Sequence, residues 1–192
     1  MSDLTNLMTI LQRNNFVILD TETTGLDDRA EIVQLGVIDK DGAILIDQLI
    51  QPTRPCPPDA TAIHGITNEM VAGKPTIAEV FGDLFEAIVD KDLIIYNANY
   101  DLRIILQALG ARDISFSLSE LRPSGVLTAC AMEAYAEHYG DWNEYRQSYR
   151  WQKLSVACAQ QGIIIKDAHS AVGDCQMTLA LIRSLEAKNQ LI

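Results

Sequence analysis

Two apolar runs, residues 31–39 and 43–51, meet at Asp41 and Gly42, and this junction constrains the fold more than any other stretch. An Asp-Gly pair between such runs predicts a tight hairpin, because glycine readily takes the positive φ that the turn requires. A third apolar run, Phe16 to Asp20, precedes the hairpin and ends in an acid. Three successive strands are therefore expected, at least two of them antiparallel. Further on, Leu93 to Tyr96 reads as a buried strand, followed by helical periodicity from Tyr100 to Leu109. Hairpins first and strand-then-helix units afterwards predict a mixed α/β fold.

The remaining segments fit around that frame. Leu4, Leu7, Met8 and Leu11 recur at helical spacing, so residues 2–13 predict an amphipathic helix laid on the body. Residues 51–58 hold four prolines and predict an extended loop, after which Asp59 and Thr67 are expected to cap two short helices. Residues 76–89 place Ile77, Val80, Phe81, Leu84, Phe85 and Ile88 on one helical stripe. Residues 115–125 read as irregular, 129–139 as helix, 140–150 as polar and aromatic, 153–161 as helix and 170–188 as a long closing helix. No internal repeat or linker is visible, and 192 residues suit one domain: a helix at 2–13, a core at 16–185 and a flap at about 135–152.

Composition excludes several classes. Apolar residues make up 48% and charged residues 21%, which excludes disordered, collagen-like and coiled-coil chains. No apolar run reaches the ~18 residues of a membrane span, and residues 1–15 lack the features of a signal peptide, so no membrane role and a cytoplasmic location are expected. Cys56, Cys130, Cys158 and Cys175 lie far apart with no C-x-x-C and read as core thiols. A net charge of -11 argues against a protein gripping long duplex DNA through many phosphates. It leaves room for a nuclease, since two divalent cations would bring the loaded chain to about -7 and concentrate positive charge at one place.

The acids carry the chemistry. Asp20 and Glu22 stand at i and i+2 of a strand, so their carboxylates point to the same face. Such a pair repels itself unless a cation shares the oxygens. Thr23, Thr24 and Gly25 follow, adding hydroxyls and a glycine that admits a close ligand. Asp101 falls in the first turn of the helix after the 93–96 strand, where the helix dipole alone would favour an acid. Asp174 lies one turn into the last helix, with His169 five residues before it and Ser170 as its expected N-cap.

In combination and in order, these motifs resemble the DEDDh family of 3′-to-5′ exonucleases, the DnaQ-like proofreading type. The matching blocks are LDTETTGL at 19–26, AEIVQLG at 30–36, AIHGIT at 62–67, NANYD at 97–101 and HSAVGD at 169–174. The resemblance implies a ribonuclease H-like mixed sheet, antiparallel strands first and parallel strands after, flanked by helices. It also implies a hydrolase that cuts single-stranded 3′ ends and releases nucleoside 5′-monophosphates.

By position, the resemblance makes Asp20 the acid that bridges two divalent ions. Glu22 and Asp174 become ligands of the ion holding the attacking water, Asp101 the ligand of the second ion and His169 the general base. Magnesium is the expected ion, two per site with manganese as a substitute, since an all-oxygen shell suits a hard cation. The family's substrate positions fall on Thr21, Thr23, Gly25, Leu26, His64, Ile66, Asn97 and Tyr100. Two positions depart from the pattern: Tyr100 replaces a common phenylalanine, and Tyr96 stands where a histidine is frequent.

Six of the twelve aromatic residues, Tyr135, Tyr139, Trp142, Tyr145, Tyr149 and Trp151, fall within seventeen residues alongside Arg146, Arg150 and Lys153. Two readings are open. Rings with guanidinium groups suit single-stranded nucleic acid; the rings would alternatively anchor a flap to the body or to a second copy in a homodimer, a reading favoured because Asp141 and Glu144 dilute the positive charge, with packing expected for Trp151 and nucleic-acid contact for Arg146 and Arg150. The same stretch resembles a subset of phage- and plasmid-borne members. For the whole chain the alternative function is a non-catalytic or weakly active module that binds nucleic acid or a polymerase. The complete acid and histidine set speaks against it. The chain ends at Ile192, just after the last helix, so no obligate polymerase partner is expected.

Overall fold

The computed structural model describes residues 2–122, 125–164 and 169–189. Helix α1 (Asp3–Arg13) starts at Ser2, whose hydroxyl accepts the Thr5 N–H, and buries Leu7, Ile10 and Leu11. Strand β1 (Phe16–Thr23) pairs antiparallel with β2 (Ile32–Asp39), and β2 pairs antiparallel with β3 (Ile44–Leu49), the two joined at Asp41 and Gly42. Gly42 takes φ 91°, which explains the glycine of the turn.

Helices α2 (Pro58–His64) and α3 (Asn68–Val71) follow the proline-rich loop. Pro57, not Asp59, occupies the cap position of α2; Asp59 falls within its first turn. Thr67 does stand at the cap position of α3. Helix α4 (Ile77–Ile88) starts at Thr76, whose N–H donates to Glu79 Oε2 at 2.7 Å.

Strand β4 (Asp92–Ile95) runs parallel to β1 and leads into α5 (Ala98–Gly110). The expected irregular stretch 115–125 contains a single-turn helix, α6 (Leu118–Leu121); residues 123 and 124 lie outside the described set. The expected helix at 129–139 needs correcting. Residues Thr128–Cys130 form β5, a parallel edge strand on β4, and α7 (Ala131–Tyr139) begins only afterwards. Strand β6 (Trp142–Asn143) and β7 (Ser148–Tyr149) make a separate two-stranded hairpin before α8 (Leu154–Gln160) and α9 (Ala171–Asn189).

The five-stranded sheet has the order β3-β2-β1-β4-β5, antiparallel on one side of β1 and parallel on the other. One face, with Ile18, Ile38 and Ile94, packs on α1, α7, α8 and α9. The opposite face, with Val17, Leu19, Leu93 and Ile95, packs on α4 and α5. Alternation along β1 therefore aims Asp20 and Glu22 toward α9 and Thr21 toward α5. The parallel strands β1, β4 and β5 all end at the same edge of the sheet, and the acids gather there. All four cysteines are buried and free. Among the described residues, no helix is long and apolar enough to cross a membrane.

Candidate active site

Carboxylate oxygens of Asp20, Glu22 and Asp174 lie within 4.8 Å of one another. Gly36 makes this convergence possible. It pairs with Asp20 across β1 and β2, and a methyl group there would come within 2.7 Å of the Ala171 carbonyl carbon and 2.8 Å of the Val172 nitrogen. A bare backbone at that point lets the first turn of α9 lie against the sheet, which carries Asp174 to Asp20. Cys175 seals the contact, its thiol donating to the Ile18 and Gly36 carbonyls at 3.6 Å each. Gln34, opposite Glu22, accepts the Ala171 N–H at 3.2 Å.

Asp101 comes from the other face. It is 3% exposed, and its Oδ1 accepts both the Thr21 N–H at 3.1 Å and the Thr21 hydroxyl at 2.7 Å. Thr21 is thereby occupied in holding the fourth acid. Burial dominates the titration of these groups. It pushes Asp20 well above the ordinary carboxylate range, and the charges of Asp101, Asp174 and Glu22 add to it. Glu22 is pushed up to about 7, by burial first and then by Asp174 and Asp101. Asp101 also rises to about 7 through burial, although the Thr21 hydrogen bonds oppose the shift. Asp174 is raised by burial, against the pull of the His169 backbone N–H that it accepts at 3.2 Å. Four desolvated, mutually repelling acids with only oxygen donors fit a hard divalent cation and no thiolate-type zinc.

His169 is exposed and left-handed, at φ 66°. Ser170 caps α9 as expected, its hydroxyl accepting the Gly173 N–H at 3.1 Å. The imidazole is thus held on the turn that leads into Asp174.

Beside the acids opens a cleft of about 610 Å³, lined by residues 21–27 together with Pro57, Asp59, Ala60, Ile63, His64 and Tyr100. His64 is a strut in its wall. Its Nδ1 accepts the Ile66 N–H at 3.0 Å, so Nε2 carries the proton and donates to the Thr23 carbonyl at 3.2 Å. Burial lowers its pKa, consistent with a neutral ring. Tyr100 uses the hydroxyl that a phenylalanine lacks: it donates to the Gly25 carbonyl at 2.7 Å and lies 2.6 Å from Thr23 Oγ1. Arg103 then binds the Leu26 carbonyl at 3.2 Å, leaving the Leu26 side chain 82% exposed on the lip.

Two further expected substrate positions lie outside the lining of this cleft. Ile66 is 4% exposed and packs with Val33, Cys56, Ala60 and Val71, while Ile63, 63% exposed, lines the cleft instead. Asn97 stands exposed at the cap of α5 without a side-chain capping bond. Sequence reasoning missed Ile63, Gly36 and Arg103. Gly36 was signalled by a glycine inside an apolar strand, whereas nothing local marked Arg103.

A mixed sheet with acids at the shared end of β1, β4 and α9, beside an open cleft, defines a hydrolase of the ribonuclease H-like type. The sequence profile of the Exonuclease family (RNase_T) matches residues 17–182, and the chain belongs to that family. It is 41% identical over 175 residues to exonuclease CP81 of Escherichia phage 186, covering 88% of this chain and 87% of the relative. It is 30% identical over 177 residues to the DNA polymerase III subunit epsilon of Treponema pallidum, covering 90% and 76%. Exonuclease X, solved in complex with 5′ overhanging duplex DNA, superposes with a TM-score of 0.65 at 26% identity, over 91% of this chain and 93% of that one. The protein is a hydrolytic 3′-to-5′ exonuclease acting on nucleic-acid ends.

Proposed function

We propose that this exonuclease trims single-stranded 3′ ends, releasing nucleoside 5′-monophosphates, and that Asp20, Glu22, Asp101 and Asp174 hold two magnesium ions, replaceable by manganese. The convergence of Asp20, Glu22 and Asp174 within 4.8 Å carries the reading. Divalent ions so held would polarise the scissile phosphate and favour hydroxide over water as the nucleophile.

The chain's own residues do the rest. The His169 imidazole accepts the proton of the attacking water. The new bond forms between that oxygen and phosphorus, and the bond to the 3′ oxygen of the preceding nucleotide breaks. Thr21 keeps Asp101 ionisable at the far side, and Leu26 with Ile63 brackets the terminal base across the cleft. His64 and Tyr100 keep that cleft open by bracing the Thr23–Gly25 backbone. We place this action in the cytoplasm and without an obligate polymerase.

The test is hydrolysis of matched 5′-labelled single-stranded DNA and RNA in magnesium, manganese and chelator. Stepwise shortening from the 3′ end with monophosphate release, abolished by chelator, is expected. Internal cuts or shortening from the 5′ end would refute the reading.

A further inference from the structure

The aromatic stretch divides in the structure. Tyr135 is fully buried on α7, and Tyr139 stacks on it with ring centres 5.9 Å apart, so this part is core and core edge. The rings beyond Gly140 are uncovered: Tyr145 is 97% exposed, Trp151 is 55% exposed, and Trp142 and Tyr149 are exposed as well. Trp151, expected to pack, is not buried against the body of this chain.

These rings ride on a braced element. Trp142 meets Tyr149 edge-on at 5.0 Å, and Asn143 Oδ1 accepts the N–H groups of Tyr145 and Arg146 at 3.0 and 3.1 Å. The Arg150 N–H donates to the Asp141 carbonyl at 2.8 Å, closing the base of the hairpin. A two-stranded hairpin is marginal by itself, and this one is moored: the Tyr96 hydroxyl donates to the Gln152 carbonyl at 2.7 Å. Tyr96 directly follows β4 and precedes Asn97, where the chain turns into α5 and Asp101. The hairpin thus hangs from the edge of the sheet at which the acids lie.

Its charge opposes that of the molecule. Residues 142–153 carry Arg146, Arg150 and Lys153 against Glu144 alone, in a chain of net charge -11, although Asp141 lies 3.6 Å from Arg150. Arg146 and Arg150 line one recess of about 350 Å³ together with Tyr149 and Trp151. Rings for bases and guanidinium groups for phosphates therefore share one surface.

We propose that the β6–β7 hairpin is a docking platform for the single strand upstream of the 3′ terminus. Bases stack on Tyr145 and on the Tyr149–Trp151 side, and phosphates meet Arg146 and Arg150. This rests on the exonuclease reading above for the direction of the strand, but binding is measurable without hydrolysis.

The experiment uses the full chain in chelator and follows the anisotropy of 5′-labelled dT20 and rU20 across a salt series. Tyr145→Ala and Arg146→Glu are suitable variants, since a side chain 97% exposed and a guanidinium lining an open recess hold no core together. Each should weaken 20-mer binding at least fivefold, and Arg146→Glu should lower the salt slope by about 0.7, the share of one single-strand phosphate contact. The KM for a dinucleotide, read with magnesium, should move less than twofold. Unchanged 20-mer affinity and slope would overturn the proposal, as would wild type binding the 20-mer no better than the dinucleotide. A change of sedimenting mass with unchanged affinity would make the hairpin a contact between copies instead. If wild type binds through the hairpin yet releases no monophosphate, the hydrolytic reading fails and the platform stands.

Discussion

Asp20 feels three other carboxylates while burial strips it of water, so in the metal-free protein its charge is a burden on the fold. Replacing Asp20, Glu22 or Asp174 by alanine should bring cleavage below about one-hundredth of wild type, a floor set by what even outer-shell changes cost at metal sites. The chelated variants should melt no lower than wild type. A variant keeping half of wild-type turnover in magnesium would refute its role as ligand. His169→Ala should lower kcat by about 10²–10⁴, the usual contribution of a positioned base, with single-strand affinity intact. A rate within twofold of wild type would make the residue a turn-former only. Tyr100→Phe removes a hydroxyl bonded to Gly25, and at about 0.5–1.5 kcal/mol per hydrogen bond kcat/KM should fall roughly two- to tenfold, mainly through KM.

Among the elements, α9 reaches the active site only because β2 has no side chain at residue 36. Gly36→Ala should cost about 1–3 kcal/mol in denaturant unfolding, as overpacked cores do, and should also raise the metal concentration needed for half-maximal rate. A stable variant with unaltered metal demand would mean that α9 tolerates the shift. The Asp41–Gly42 hairpin, α1, α4, β4 with α5, α8 and α9 were legible in the sequence, α1 and α4 because one apolar stripe recurs at helical spacing. Strand β5 escaped because its three residues, Thr128–Cys130, run directly into α7, and the alanine at 129 favours helix as much as those at 131 and 134 do. Strands β6 and β7 are two residues each, too short to alternate. At the site, the acids were legible as an ordered set. Which isoleucine faces the cleft was not, because Ile63 and Ile66 lie on opposite sides of Gly65, which takes φ 76° and reverses the chain after α2.

At the scale of the whole molecule, the acids tie stability to pH. Glu22 and Asp101 titrate near 7 in the folded chain but near 4 when unfolded, so the folded state binds more protons between those values. Their contribution is fully present below about pH 4 and is lost as pH rises through about 7. The chelated protein should therefore unfold at lower denaturant at pH 8 than at pH 5.5, and magnesium should recover the difference at pH 8. Equal midpoints in chelator at both pH values would refute this. The burial of every thiol has a different consequence. Cys175 is held as a thiol well above its ordinary pKa by burial, one residue from Asp174 and hydrogen-bonded to β1 and β2. A thiol reagent or oxidant reaches it only after α9 has left the sheet, so its modification rate counts openings of the active site. Labelling of Cys175 by a thiol reagent should therefore slow when magnesium is added, and equal rates with magnesium and with chelator would refute this.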